Sequence, residues 1–423
     1  MGTLGHLVHL LRGVWFRRLF SVRVTSQFSD GVFQVALASY VLFSPEKQPT
    51  PAAIAGTLTV MLLPFTVLGP FAGVLLDRWP RRQVLAFANL ARSAVVLGLA
   101  ALVAAGVPDL VFYVVVVGCL SLNRFILAGL SAALPHTVTD DDLVTANALT
   151  PTLGAIAALT GALLGTWISS QRSDSAVLTG AATGFAAAGL LALRIPRLLL
   201  GPDFDPARPA VREAVRHVLA GLAGGLTHLR DRHGPAYALL TIASSRFWLG
   251  LTTVCGFLLY RNHLFPDDPD EALSRLSVML GVSAVGFVLA AVVTPAVVER
   301  VAHRTWIIAL LVVSAVAQVY PFALYTEQAL WVSGFVLGFA AQGIKICVDT
   351  IVQLGVDDAY RGRVFSIYDV LFNLAFVGAA ALAAAVVPDD GRSYGVVVAG
   401  AVAYATTAAW YAVSSRRPVR VPR

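Results

Sequence analysis

Gly73-Val-Leu-Leu-Asp77-Arg78-Trp79-Pro80-Arg81-Arg82 ends one apolar run, and Pro295-Ala-Val-Val-Glu299-Arg300-Val-Ala302-His303-Arg304 ends another 222 residues later. Each turn sets an acid, a base and then a basic pair between two apolar segments. A charged turn flanked by apolar segments, repeated once at half-chain distance, is the pattern of a duplicated membrane bundle.

Composition agrees. At 57% hydrophobic and 13% charged residues, the 423-residue chain has too few charges to clothe a water-soluble surface. Apolar runs long enough to cross about 30 Å of hydrocarbon occur twelve times. They lie near 20–43, 52–75, 83–105, 110–134, 148–169, 175–194, 236–260, 274–298, 305–325, 329–352, 365–387 and 394–414. The expected fold is therefore an all-α membrane protein with twelve transmembrane helices in two pseudo-symmetric six-helix bundles. With both termini cytoplasmic, 21 of the 31 Lys and Arg residues fall in the termini and inner loops and only 5 outside, which fixes the orientation. The same distribution accounts for the net charge of +7 without nucleic acid. Arg12, Arg17 and Arg18 precede a full-length span, so the first apolar segment reads as retained.

Residues 1–194 form the expected N-terminal bundle and 236–423 the C-terminal one, joined by a linker at 195–235. In the linker Val211, Val215, Val218, Leu222, Leu226 and Leu229 recur at helical spacing, opposite Arg212, Glu213, Arg216 and Arg230. That pattern reads as an amphipathic helix on the inner leaflet; Gly221, Gly224 and Gly225 weaken it and leave a flexible tether as the alternative.

Six plus six spans, a long central inner loop and the Gly-x-x-x-Asp-Arg-x-x-Arg-Arg turn resemble the major facilitator superfamily across essentially the whole chain. Asn123-Arg124, Leu134-Pro135 with Ala146-Asn147, and Arg361-Gly362-Arg363-Val364-Phe365-Ser366 look like its bacterial efflux branch, which includes enterobactin-exporter-like, macrolide-efflux-like and lysophospholipid-transporter-like proteins. Two features depart from the family pattern. Pro80 stands where Gly is usual, and span five carries Gly154, Gly161 and Gly165 with Ala162 in place of the antiporter proline. The spacing of small residues for close helix packing survives.

The resemblance implies that Gly73, Asp77, Arg78, Arg81 and Arg82, with Glu299 and Arg300 in the second copy, brace the inner face in the outward-open state. Plain topology anchoring by the arginines is the alternative. Along span one, Arg23, Gln27, Asp30 and Gln34 share an arc of roughly 60°, with Asp30 roughly 12 Å deep. A carboxylate at that depth needs a partner, and a partner it can leave makes a proton switch. Arg124 in span four is the expected partner, supported by a span-one acid and span-four Arg in related exporters; a static ion pair is the alternative. Gln27, Gln34, Asn123, Arg246, Trp248, Lys345 and Asn373 are the candidate substrate-cavity residues. Asp349, four residues after Lys345, and Asp369, four before Asn373, are either an inner gate or local charge neutralisation. Five bases within the spans (Arg23, Arg92, Arg124, Arg246, Lys345) face three acids (Asp30, Asp349, Asp369). Even with Arg23 and Arg92 reaching partly towards an interface, that excess tilts the substrate towards acidic or amphipathic molecules.

No G-x-x-x-x-G-K-[ST] loop, HExxH or zinc-type Cys/His spacing occurs, and the odd three cysteines all lie in apolar segments. The reading is a non-enzymatic, monomeric exporter in the plasma (inner) membrane. It has no cofactor beyond the proton gradient and takes a small-molecule or lipid substrate. A lysophospholipid-type translocator and a non-transporting scaffold or sensor are the rivals.

Overall fold

A computed structural model describes residues 3–42, 79–105, 109–171, 174–201, 211–322 and 324–415, with scattered positions between 50 and 71. Among them are thirteen α-helices: α1 Thr3–Arg12, α2 Val14–Leu42, α3 Arg81–Ala104, α4 Asp109–Ala133, α5 Asp140–Gln171, α6 Asp174–Leu193, α7 Val211–Asp231, α8 His233–Leu258, α9 Pro269–Val298, α10 His303–Phe322, α11 Glu327–Gly355, α12 Asp358–Val386 and α13 Tyr394–Ser414. No strand is present among the described residues.

Among the described residues nine helices are long and apolar enough to cross a bilayer, and α10 contributes a shorter apolar stretch, His303–Val319. These ten match ten of the twelve expected spans. Span one is α2, whose Arg17, Arg18, Arg23 and Asp30 dilute its hydropathy. Span two falls largely outside the described residues, and with it Gly73, Asp77 and Arg78.

The described helices group into two compact units that divide between Arg216 and His217, inside α7. The linker thus contains a helix, and the division between units falls within it. Its three glycines form its docking face: Gly221 and Gly225 lie against the Arg363 side chain, and a β-carbon on Gly225 would sit 3.0 Å from Ile367 Cδ1. His228 of the same helix stacks on Tyr360 at 4.4 Å. Arg232, just beyond it, grips both Asp357 oxygens at 2.7 and 2.9 Å, at the start of α12. Leu219 and Leu226, on the outer side, remain 54% and 53% exposed.

In the first unit, α2 and α5 cross so closely that their backbones touch. A β-carbon on Gly31 would land on the Ala158 carbonyl, and one on Gly161 on the Phe28 carbonyl. Gly165 meets Val32 and Val35 one turn on. The span-five residues read as a packing face are that face. In the second unit α9 and α11 cross in the same manner, through Gly286 under Phe335 and Gly338 under Ser283.

The 222-residue repeat reappears as a hydrogen-bonding device. Arg82 donates from Nε to Ile195 O at 3.2 Å and from Nη2 to Leu193 O at 3.1 Å, capping the end of α6. Its counterpart Arg304 donates from Nε to Ser415 Oγ at 2.7 Å and from Nη2 to Ala412 O, capping the end of α13. The last carbonyls of a helix lack partners and carry the negative end of its dipole, so a guanidinium fits there. Arg81 likewise donates to Ala132 O at 2.9 Å and Leu200 O at 3.0 Å. The described arginines of the first turn, Arg81 and Arg82, therefore face carbonyls of their own unit. Glu299 and Arg300 are exposed in the tight turn after α9.

Candidate functional site

Among the described residues, a polar cluster in each unit stands out from the apolar packing. In the first, α2 and α3 meet along a buried polar seam. Ser26 Oγ donates to Asn89 Oδ1 at 3.0 Å, and Asn89 Nδ2 is held by Leu85 O at 2.8 Å. One turn further along, Arg92 Nη2 donates to Asp30 Oδ1 in an ion pair. Asp30 is 5% exposed and Arg92 is fully buried. The guanidinium is completed by Asn123 Oδ1 of α4 at 3.2 Å and by the ring of Phe185 in α6, 3.9 Å below it. The buried Cys119 thiol approaches the same cation. Three helices thus supply groups to one charge carried by a fourth, as the cost of burying it demands.

The partner of Asp30 is Arg92, where the sequence pointed to Arg124. Adjacent residues on a helix point about 100° apart, so α4 can turn only one of Asn123 and Arg124 into this seam. It turns Asn123, which is buried; Arg124 is half-buried and makes its contacts elsewhere. Arg92 was read as reaching for an interface, yet it lies mid-helix, about three turns from the start of α3. The polar stripe of span one also divides. Gln27 accepts from Arg23 Nε at 3.0 Å, Asp30 enters the seam, and Gln34 is exposed.

The second cluster is a cationic and aromatic face between α8, α11 and α12. Phe365, Tyr368, Phe372 and Phe376 follow at i, i+3, i+7 and i+11 on α12, within an arc of about 80°. Neighbouring rings touch: Phe365 and Tyr368 lie 6.0 Å apart, Tyr368 and Phe372 6.1 Å. Lys345 Nζ sits 5.6 Å from the Tyr368 ring and pairs with Asp349 at 2.6 Å. The Arg246 guanidinium lies 4.4 Å from the Phe372 centroid and 4.6 Å from that of Phe376. This aromatic stripe was not among the sequence candidates, although its helical spacing was there to be read. Asn373 turns its amide back onto Asp369 O at 2.8 Å, and Asp369 itself is exposed. Trp248 packs against the core of this unit. Among the described residues no group of His, Cys, Asp and Glu is arranged to hold a metal ion.

The model of the Major Facilitator Superfamily matches residues 19–377. Uncharacterized MFS-type transporters of Mycobacterium tuberculosis and Mycobacterium bovis are each 35% identical over 407 residues, spanning 95% of this chain and 91% of theirs. Among solved structures, the nucleoside transporter NupG superposes with a TM-score of 0.68 at 17% identity, over 95% of this chain and 99% of its own. A peptide transporter POT gives 0.72 at 13% identity over 96% and 94%. A bacterial homologue of the human lysosomal transporter Spinster gives 0.64 at 13% identity over 97% of each chain. The duplicated charged turn, the all-helical architecture and this full-length match place the chain in the major facilitator superfamily, as a multi-pass membrane transporter.

Proposed function

We propose that the chain is a proton-coupled secondary exporter of a small amphipathic molecule, working by alternating access in the plasma membrane with both termini in the cytoplasm. The observation that carries this reading is the fully enclosed Asp30–Arg92 pair. A cation and a carboxylate placed inside transmembrane helices are expensive relative to apolar side chains of the same volume, so their presence asks for a use. A charge pair that one proton can undo is such a use. Ionised, Asp30 holds Arg92 against α2. Protonated, it gives up that attraction and leaves the cation to Asn123 and Phe185. Two arrangements of one seam, chosen by a proton, couple proton entry to movement of α2 against α3.

The test begins by finding a substrate through thermal stabilisation across dyes, siderophores and lysophospholipids at two pH values. Purified protein in vesicles with an imposed pH gradient then accumulates that substrate. Asn at position 30 abolishes accumulation while leaving downhill exchange. An Asp30→Asn protein that still concentrates substrate removes the proton role. Lipid movement in vesicles lacking a gradient assigns the chain to lysophospholipid-type translocation instead.

A further inference from the structure

Two membrane arginines that lie against aromatic rings, Arg92 and Arg246, are held in different ways. Arg92 has a carboxylate, an amide oxygen and one ring. Among the described residues Arg246 has two rings against it and the phenols of Tyr368 and Tyr404 nearby, but no hydrogen-bond acceptor: its Nε is buried without one, and no described residue accepts from its terminal nitrogens. Lys345, the other cation on the α12 stripe, has its own carboxylate in Asp349. Among the described residues, Arg246 is therefore the cation of this cluster whose charge is not met by an acid.

Ring faces attract a guanidinium but satisfy none of its five N–H donors. That attraction alone falls short of the cost of taking a cation out of water. The geometry also leaves the fork free. Phe372 and Phe376, one turn apart on α12, contact the cation through their rings and fix its place, and no described residue accepts in its plane. A planar oxyanion is the chemical complement of that fork, since carboxylates and phosphates accept two parallel N–H bonds from one guanidinium.

We propose that Arg246 binds the anionic group of the transported molecule, a carboxylate or phosphate, so that the substrate class is amphipathic anions. This rests on the chain being a transporter and is independent of how transport is driven. The test uses full-length protein in discs of zwitterionic lipid, titrated with octanoate, octyl phosphate, octylammonium and octyl glucoside while the melting midpoint is read. Both anions raise the midpoint and the other two do not. Arg246→Gln weakens anion binding about tenfold or more, a loss of about 1.4 kcal/mol, and Arg246→Lys falls between, keeping the charge without the fork. Equal shifts from all four probes, a flat response to both anions, or undiminished anion binding by Arg246→Gln overturns the proposal. The probe ranking on the unaltered protein and the Arg246→Lys value decide the matter even if the glutamine variant does not fold. Asp30→Asn binds the anions normally; failed accumulation with intact anion selectivity indicts the coupling pair, and lost selectivity with intact accumulation indicts Arg246.

Discussion

Asp30 and Arg92 each make the other tolerable in a place where water is absent. Removing Arg92 leaves a carboxylate without a counter-charge, and removing Asp30 leaves a guanidinium with one amide and one ring. Breaking such a pair costs about 3–5 kcal/mol, whereas replacing both members by apolar groups of similar volume is often neutral. Arg92→Met should therefore lower the melting midpoint far more than Asp30→Leu combined with Arg92→Met. A double variant as unstable as the sum of the singles would show that the seam is held by packing and not by charge. The need for a partner to Asp30 was legible in the sequence, because a mid-span acid admits no other reading. Which partner was not, since choosing between Arg92 and Arg124 requires knowing which face of α4 turns inward. One clue was available: Ser26 and Asp30 on one helix and Asn89 and Arg92 on another share helical spacing, as two polar faces that meet must do.

Helices cross closely only where side chains stand aside, and the glycines divide accordingly. A β-carbon at Gly31 or Gly161 would collide with a backbone carbonyl of the facing helix, and backbone cannot swing away. A β-carbon at Gly98 or Gly118, in α3 and α4, would meet no other described residue within 4 Å. Gly161→Ala should lower the melting midpoint sharply, whereas Gly98→Ala and Gly118→Ala should hold or raise it, a helical Gly→Ala exchange being worth about 0.5–1 kcal/mol. A tolerated alanine at 161 would mean that α2 and α5 can separate without loss. The spacing of Gly154, Gly161 and Gly165 disclosed a close-packing face in span five, but not that α2 would be the helix to fill it. The glycines of α7 did not disclose theirs. As helix-weakening residues they argued for a tether, because propensity says nothing of the Arg363 side chain that lies along them.

Duplication gives the molecule two copies of one fastening. Arg82 closes the end of α6 and Arg304, 222 positions later, closes the end of α13, each within its own unit. The equivalence was half-visible in the sequence. The acid and the basic pair of each turn aligned, but the carbonyls they serve carry no sequence signature, because every residue has one. Under the proposed alternating access, in which the units move as bodies, such a fastening is useful inside each unit and has no need to reach beyond it. Hydrogen exchange read by mass spectrometry tests this directly. Arg82→Gln should speed exchange in the last turns of α6 and leave α13 unchanged, and Arg304→Gln should do the reverse. Each lost charged hydrogen bond contributes about 1.5–3 kcal/mol, enough to speed local opening by roughly ten-fold or more. Because the two sites share no partner, the double variant should show both effects at their single-variant size. Faster exchange in α13 on loss of Arg82 would mean that the two fastenings act as one device across the whole chain.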